Sequence, residues 1–342
     1  MKTLIKPTTV LLLALSANAQ AAGKLSLYNW FEYMPKELLD KFSEQYDVEV
    51  TMDTFDSNEA MLASLKAGKL GSYDLSVPGD YMVKIMANDG MLDTFEPSEL
   101  SNFGNISKQW VDVSFDPGRH SSIPYQWGST SYSVNRDLYK GPIDSLSVIF
   151  NPPEELKGKI NVLDTAGETL TLASLYLGIP QCSTDREQLK SLSNLVNTAK
   201  KDWASFGSDV AKDVLVSGDA AAGMIWSGFS AKGRAEGANL EYSFPKEGYI
   251  VWMDNIVLLK DAPNRDNAIK FMNFMLEPEN VAMLSNYTQY PSGVDGVEPY
   301  LIAEVKDAPE ANPPANAKGI FVETCSQPVQ EMYDAIWTRL KK

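Results

Sequence analysis

Carboxylates stand next to aromatic residues at several points of this sequence where a strand pattern ends. In the first, YNWFEY at residues 28–33, Glu32 lies among four aromatic residues. The others are PGDYM with Asp80 and Tyr81, VLDTAGET with Asp164 and Glu168, MIWSG with Trp226, VWMDN with Trp252 and Asp254, TQYPSG with Tyr290, and FVETC with Glu323. Together they suit an elongated organic cation, because methylenes stack on rings and ammonium groups donate charge-assisted hydrogen bonds to acids.

Each of these residues also has an ordinary structural explanation. Trp226 and Trp252 follow apolar runs, as tryptophans of a packed core often do. Glu32 and Glu168 precede or begin predicted helices, where the helix dipole favours an acid. The aspartates are typical of turns and helix caps. The binding hypothesis therefore rests on the whole set and not on any single residue.

Little in the sequence indicates catalysis. The one histidine, His120, stands in the polar stretch DPGRHSS and is expected to be a loop residue. The patterns G-x-S-x-G, G-x-x-x-x-G-K-[ST] and G-x-G-x-x-G do not occur. We therefore predict no catalytic residue, no metal site and no cofactor. A hydrolase that uses two carboxylates stays open as an alternative.

The elements that must position these residues alternate between strand and helix patterns. Predicted strands are KLSLYNW, VEVTMDTF and YDLSVPGD, followed respectively by the helices PKELLDKFSEQYD, SNEAMLASLKAG and YMVKIMANDG. A second series, over residues 133–250, contains INVLDTA, ETLTLASLYLG, REQLKSLSNLVNTAKKD, AAAGMIW and FSAKGRAEG. Ligands of open α/β sheets bind beyond the carboxyl ends of strands, so we expect the acids and rings at these ends to converge on one cleft.

Two long β-rich stretches connect the two series. They are SIPYQWGSTSYSVNRDLY and GYIVWMDNIVLL, and no Pro/Gly/Ser-rich linker accompanies them. This pattern predicts an α/β protein of two lobes joined by hinge strands, in which the chain returns to its first lobe. We expect residues 23–131 and 254–300 in the first lobe, and residues 132–253 and 301–342 in the second.

The N-terminal residues 1–22 predict export. Lys2 and Lys6 precede the apolar run Val10 to Leu15, and Ala-x-Ala cleavage options follow, which is the pattern of a secretory signal peptide. The net charge of −15 disfavours nucleic acid as a partner and favours cations. We therefore expect a periplasmic protein, acting as a monomer on a small cationic molecule.

The chain has two cysteines, Cys182 and Cys325. In an oxidising periplasm they can pair, and two unrelated buried thiols fit the sequence about as well. If the chain crosses back as predicted, both cysteines belong to the second lobe.

Six segments resemble, in order and spacing, the periplasmic spermidine/putrescine-binding proteins of ABC transporters. They are YNWFEY, FDSNEAMLASLKAG, YDLSVPGDYMVKIM, MIWSG, FPKEGYIVWMDNIVLL and NAIKFMNFML. The resemblance covers nearly the whole chain after residue 22, and it is most specific in YNW-x-EY and EG-x-x-x-WMD. It implies a two-lobe periplasmic binding protein fold with an interlobe ligand cleft that closes on a polyamine.

The resemblance also implies roles for individual residues. Glu32, Glu168 and Asp254 would be carboxylates for amino groups. The wall residues would be Trp30, Tyr33, Tyr81, Trp226, Trp252 and Tyr290, and Glu323 falls near a position that is often glutamine. Phe31, Gly79 and Thr165 depart from the family's usual residues, and these departures concern the preferred chain length of the amine.

Two functions fit the resemblance. The first is a binding protein that delivers spermidine, putrescine or a similar triamine to an ABC transporter permease. The second is a periplasmic polyamine sensor whose closed form docks on a membrane receptor. The cleft residues do not separate these functions, because only the outer surfaces of the lobes would differ.

Overall fold

The computed structural model describes residues 23–342, so the predicted signal peptide lies outside the described residues. The strands of this part of the chain are β1 Gly23–Trp30, β2 Val48–Phe55, β3 Leu75–Ser76, β4 Asp112–Val113, β5 Asp116–Pro117, β6 Ser122–Asn135, β7 Ile160–Val162, β8 Ser205–Phe206, β9 Ala222–Trp226, β10 Leu240–Tyr242, β11 Tyr249–Leu258 and β12 Gly319–Phe321. The α-helices are α1 Lys36–Tyr46, α2 Asn58–Ser64, α3 Asp80–Asn88, α4 Ser147–Phe150, α5 Ala166–Leu177, α6 Arg186–Ala199, α7 Ala211–Ser217, α8 Ser227–Ala235, α9 Arg265–Phe274, α10 Pro278–Thr288, α11 Ala303–Lys306 and α12 Gln327–Lys341. None of the helices described is long and apolar enough to cross a membrane.

Local sequence signals account for several of these boundaries. The Ser57 hydroxyl accepts a hydrogen bond of 3.1 Å from the Ala60 amide and so caps α2, as the sequence predicts. Gly178 ends α5 with a left-handed φ of 67°, a conformation that costs glycine little. In α1, Leu38 and Phe42 are buried four residues apart, which places them on the same face of the helix.

One ten-stranded sheet runs through the molecule in the order β2-β1-β3-β11-β6-β9-β7-β8, with β10 paired to β6 and β12 to β11. Strand β1 is parallel to β2 and β3, and β7 is parallel to β8 and β9. The central pair β11 and β6 is antiparallel, and it joins the two parallel groups. Because these two long strands lie in both halves of the sheet, they are in the position predicted for hinge strands.

The hydrophobic core divides along the same two strands. In β6, Tyr125 packs in one buried cluster and Tyr132 in another; in β11, Met253 and Ile250 divide in the same way. A third cluster, around Phe55, packs under β1 and α3. One cluster combines residues of 25–125 with residues of 253–297, and the other is built mainly from residues 132–250.

The C-terminal segment is attached to the second core. Ile336 and Leu340 of α12 are buried there. Cys182 and Cys325 form a disulfide with a Cα–Cα distance of 5.3 Å, so the first of the two alternatives for the cysteines is the one found. The bridge connects the segment between β12 and α12 to the segment between α5 and α6.

Candidate ligand-binding site

The hinge strands place Asp254 at the centre of the molecule. Asp254 of β11 lies opposite Gln126 of β6, and the register between the two strands shifts immediately after it. Such an irregularity redirects side chains locally. Gly79 forms an isolated antiparallel bridge with Asp254, so the loop before α3 also reaches this point.

Asp254 has one side-chain hydrogen-bond donor within residues 23–342. The Tyr33 hydroxyl donates to its Oδ2 at 2.9 Å, and the Tyr33 ring packs edge-on against Tyr125 and Tyr290, with centroids 5.3 and 6.0 Å away. Burial raises the pKa of Asp254 to about 7, against the lowering effect of the Tyr33 hydrogen bond; the negative charges of Asp80 and Glu168 raise it further.

Asp80 is a second carboxylate beside Asp254. It begins α3 and is 5% exposed, and its oxygens accept hydrogen bonds from the Tyr81 amide at 2.6 Å and the Met253 amide at 3.3 Å. Burial raises the pKa of Asp80 to about 7, and the two backbone hydrogen bonds act in the opposite direction. The predicted site does not include Asp80, because Pro-Gly-Asp before a helix is typical of a helix cap. The structure shows in addition that Asp80 accepts a hydrogen bond from Met253 of β11.

Glu168 lies on the opposite side, in the first turn of α5. It accepts hydrogen bonds from Trp226 Nε1 at 3.0 Å, from Thr165 Oγ1 at 2.7 Å and from Thr130 Oγ1. The Thr130 hydroxyl in turn accepts a hydrogen bond from Trp252 Nε1 at 3.0 Å. One hydroxyl therefore orients both a predicted carboxylate and a predicted ring.

Sequence reasoning missed Thr130 and the contact of Thr165. Thr130 belongs to the S-T-S run of β6. A polar run inside a long buried strand indicates that its hydroxyls have hydrogen-bond partners, and this pattern is visible in the sequence. Thr165 and Glu168 have the T-x-x-E spacing of a capping box. In the structure Thr165 makes no side-chain cap and pairs directly with Glu168.

Two glycines allow the aromatic rings to pack closely. The Trp252 and Tyr290 rings lie 5.1 Å apart. A Cβ at Gly128 would lie 2.5 Å from Trp252, and one at Gly228 would lie 2.5 Å from Tyr290. Because Gly228 belongs to α8 and Tyr290 follows α10, the two proposed lobes are in contact across the cleft.

Two further predicted wall residues, Trp30 and Tyr81, are held by hydrogen bonds to neighbouring segments. Trp30 donates from Nε1 to the Val77 carbonyl at 2.8 Å and packs on Phe55. The Tyr81 hydroxyl donates to Glu59 at 2.8 Å. Burial and the Glu59 carboxylate raise the pKa of Tyr81 above its usual range, and the charge of Glu168 raises it further.

Glu32 is exposed in the turn after β1, with a left-handed φ of 51°. Such a conformation is costly for a residue other than glycine, and it is found most often at binding sites and turns. Its neighbour Phe31 is 69% exposed. The turn therefore presents both side chains to solvent at the edge of the cleft.

Glu323 lies near the first turn of α5, the turn that carries Glu168, and lines a small cavity with Ala166 and Gly167. It is exposed, two residues before Cys325, and its amide donates to Gln181 Oε1 at 2.9 Å. Within residues 23–342, its carboxylate forms no hydrogen bond with Glu32, Glu168 or Asp254. The disulfide holds this segment against the region around Cys182.

The cleft thus holds three carboxylates without a cation. Within residues 23–342, the ion pairs include none of Asp80, Glu168 and Asp254. No group of three or more potential metal-ligating side chains is placed to hold a metal ion in the same part of the chain. Acids between aromatic rings can bind a cation that carries more than one charge and an apolar chain between the charges.

Comparison with known proteins identifies the family of the chain. The family of bacterial extracellular solute-binding proteins matches residues 37–313. The spermidine/putrescine-binding periplasmic protein of Escherichia coli is 34% identical over 307 residues, which are 90% of this chain and 85% of that protein. The putrescine/cadaverine-binding protein of Pseudomonas aeruginosa is 30% identical over 354 residues, covering 100% of this chain and 99% of that one.

Solved structures show the same fold. A spermidine/putrescine ABC transporter substrate-binding protein of Streptococcus pneumoniae superimposes with a TM-score of 0.83 at 29% identity, covering 94% of this chain and 99% of that chain. A putative spermidine/putrescine ABC transporter protein of Listeria monocytogenes gives a TM-score of 0.85 at 29% identity, covering 93% and 98%. The predicted α/β periplasmic binding protein fold and the family resemblance are both confirmed, and the family is one of solute binding and not of catalysis. The chain belongs to the bacterial extracellular solute-binding proteins.

Proposed function

We propose that this protein captures a linear polyamine in the periplasm and presents it to the permease of an ABC transporter. The observation that carries the proposal is the cleft itself, in which Asp80, Glu168 and Asp254 have no cationic partner and lie among aromatic rings. The names of the Escherichia coli and Pseudomonas aeruginosa relatives support the ligand class.

The ammonium groups would find partners on both sides of the cleft. Asp254 and Glu168 are the charge partners of the central part, with Glu32 at the exposed edge. The rings of Trp226, Trp252 and Tyr290 would pack on the methylenes, and each ammonium near a ring face would gain about 0.5 to 2 kcal/mol from cation–π attraction.

Calorimetry tests the ligand class. The mature protein is titrated with putrescine, cadaverine and spermidine, and with two matched controls of putrescine's length: butylamine, which lacks one ammonium group, and 4-aminobutanoate, which has a carboxylate in its place. We expect the polyamines to bind at least about 100-fold more tightly than either control, because each control leaves one buried acid unpaired. Equal binding of butylamine, or no binding of any polyamine, would contradict the proposal.

Closure of the lobes would be the signal that a permease reads. A ligand held by Asp254 from one side and Glu168 from the other gains its full set of contacts only in the closed form, so it shifts the lobes towards closure. Fluorescence transfer between labels on the two lobes, or small-angle scattering, measures this with and without a saturating polyamine. Tight binding without any change in separation would show that the ligand contacts one lobe alone.

Delivery to a permease is favoured over sensing by the transporter proteins among the structural relatives. Uptake of labelled putrescine by vesicles that contain the cognate permease, with and without the purified protein, separates the two functions. Stimulated uptake is expected. Absence of stimulation, together with binding to a membrane receptor, would favour the sensor. N-terminal sequencing of the exported protein tests the predicted removal of residues 1–22.

A further inference from the structure

Lys232 places an ammonium group of the chain itself beside the aromatic cleft. It lies on α8, which begins directly after Trp226. Its Nζ is 6.0 Å from the ring centroid of Phe229, and the Phe229 ring packs edge-on against Trp226 at 5.3 Å. The lysine is therefore part of the wall that Trp226 belongs to.

The same ammonium reaches the opposite lobe. Lys232 Nζ lies 5.7 Å from the ring centroid of Tyr287, which is on α10, three residues before Tyr290. Rings from both sides thus flank one cation, an arrangement in which ring faces attract the ammonium. Lys232 takes part in none of the ion pairs within residues 23–342, and its contacts with the two rings are the ones that place it here.

Among the charged side chains, Glu32 has the largest effect on the pKa of Lys232. Burial lowers the pKa of Lys232, and the negative charge of Glu32 is the largest effect in the opposite direction; Lys212 lowers the pKa and Glu236 raises it. The geometry agrees: Tyr33, next to Glu32, packs on Tyr290 with centroids 6.0 Å apart, and Lys232 contacts Tyr287 of the same segment, so Glu32 and Lys232 lie in the same region of the site. Glu32 is also the acid that the family resemblance assigns to one amino group of the ligand.

We propose that Lys232 determines specificity by filling the Glu32 end of the cleft with the chain's own ammonium group, so that the site favours a diamine over a triamine. The inference rests on the proposed polyamine function. A diamine can place its two charges near Asp254 and Glu168. The third charge of a triamine would extend towards Glu32, where the like charge of Lys232 repels it and the rings are already occupied.

The test compares putrescine and spermidine by calorimetry for the wild-type protein, Lys232→Gln and Lys232→Arg. Glutamine removes the charge, and arginine keeps it. We expect Lys232→Gln to raise the ratio of spermidine to putrescine affinity about 10-fold, and Lys232→Arg to change it less than about 3-fold. Lys157→Gln is the matched control, because Lys157 is a surface lysine paired with Glu154 outside the cleft.

A double-mutant cycle with Glu32→Gln shows whether the two residues act together. We expect the gain in the ratio to be clearly smaller in the double variant, since the third ammonium is then freed from repulsion but has no acid to meet. A ratio unchanged by Lys232→Gln, an equal rise for both amines, or a gain as large without Glu32 as with it would each overturn the inference while leaving polyamine binding intact. Failure of the wild-type protein to bind either amine would instead overturn the proposed function, and this inference with it.

Discussion

The two walls of the cleft hold their carboxylates in different ways. Glu168 accepts hydrogen bonds from the neutral donors Trp226, Thr165 and Thr130. Asp254 accepts one from Tyr33 and lies beside the buried Asp80. The second-lobe wall, which contains Glu168, therefore stabilises its anion by hydrogen bonds. The first-lobe wall, which contains Asp254 and Asp80, places two acids close together without a cation.

This difference indicates which wall contributes most to the binding free energy of a cationic ligand. An anion that already has several donors needs a cation less than one that is buried next to another acid. An ammonium group at Asp254 would relieve both the burial and the repulsion. We therefore expect the first-lobe wall to supply most of the charge-dependent affinity, and the second-lobe wall to supply a fixed partner that completes the closed form.

The largest expected effect follows from Asp254→Asn. This change removes the charge and keeps the size and the acceptor for Tyr33, so we expect putrescine affinity to fall at least about 30-fold, or about 2 kcal/mol. Asp334→Asn, in an exposed position of α12, is the matched control and should bind normally. Unchanged affinity in a correctly folded Asp254→Asn protein would remove Asp254 from the site.

The pH dependence of affinity is the next largest effect. Burial raises the pKa of Asp254 to about 7, and the ligand binds the ionised form, so lowering the pH makes binding displace a proton. Affinity for putrescine should rise about 10-fold from about pH 6 to about pH 8, since both of its amines stay charged there. Calorimetry across this range checks it, and the Asp254→Asn variant should show a much shallower dependence. A flat profile for the wild-type protein would mean that the acid is already ionised at about pH 6.

A smaller effect is expected on the second-lobe wall. Thr130→Val removes the hydroxyl that donates to Glu168 and accepts from Trp252. Putrescine affinity should fall about 5-fold, because Glu168 loses one of several donors and Trp252 loses an acceptor. Thr130→Ser keeps the hydroxyl and serves as the control. A loss as large as that of Asp254→Asn would reverse the ranking of the two walls.

The smallest effect concerns the stability of the ligand-free protein. Asp254 has a folded pKa of about 7, above the ordinary value of about 3.9, so its contribution to stability is present at low pH and is lost as the pH rises through 7. Asp254→Asn should therefore stabilise the ligand-free protein by about 1 kcal/mol at about pH 8 and by little near pH 4. Denaturant unfolding at both pH values checks the sign, and destabilisation at pH 8 would contradict it.

Much of the fold follows from local patterns. The order of strands and helices around β1, α1, β2 and α2 is as predicted, and Trp30 pairs with Phe55 in register at the strand ends. The strand predicted over YDLSVPGD is shorter than expected, since β3 contains two residues. Pro78 and the buried Asp74 explain this: proline lacks an N–H, and Asp74 bonds the Ser26 and Asn264 amides in place of a longer ladder.

The site was less accessible to sequence reasoning than the fold. Aromatic residues beside acids identify Tyr33, Glu168 and Asp254, because burying both types together is unusual outside a binding site. The roles of Thr130, Asp80 and Lys232 depend on contacts between distant segments, which no local pattern reports. Glu323 stays a prediction: it lies near the α5 turn that carries Glu168, and no hydrogen bond of its carboxylate within residues 23–342 ties it to the other acids.

Proton release on binding tests the central difference between the walls most directly. Putrescine is titrated at about pH 7 in phosphate and in Tris, whose heats of ionisation differ, with the wild-type protein and Asp254→Asn. Because the pKa of Asp254 is about 7 in the ligand-free protein and an ammonium partner lowers it, the wild-type protein should release about half a proton or more per ligand, and the variant clearly less. Tight binding with the same heat in both buffers would contradict the account, because Asp254 would then be fully ionised before the ligand arrives.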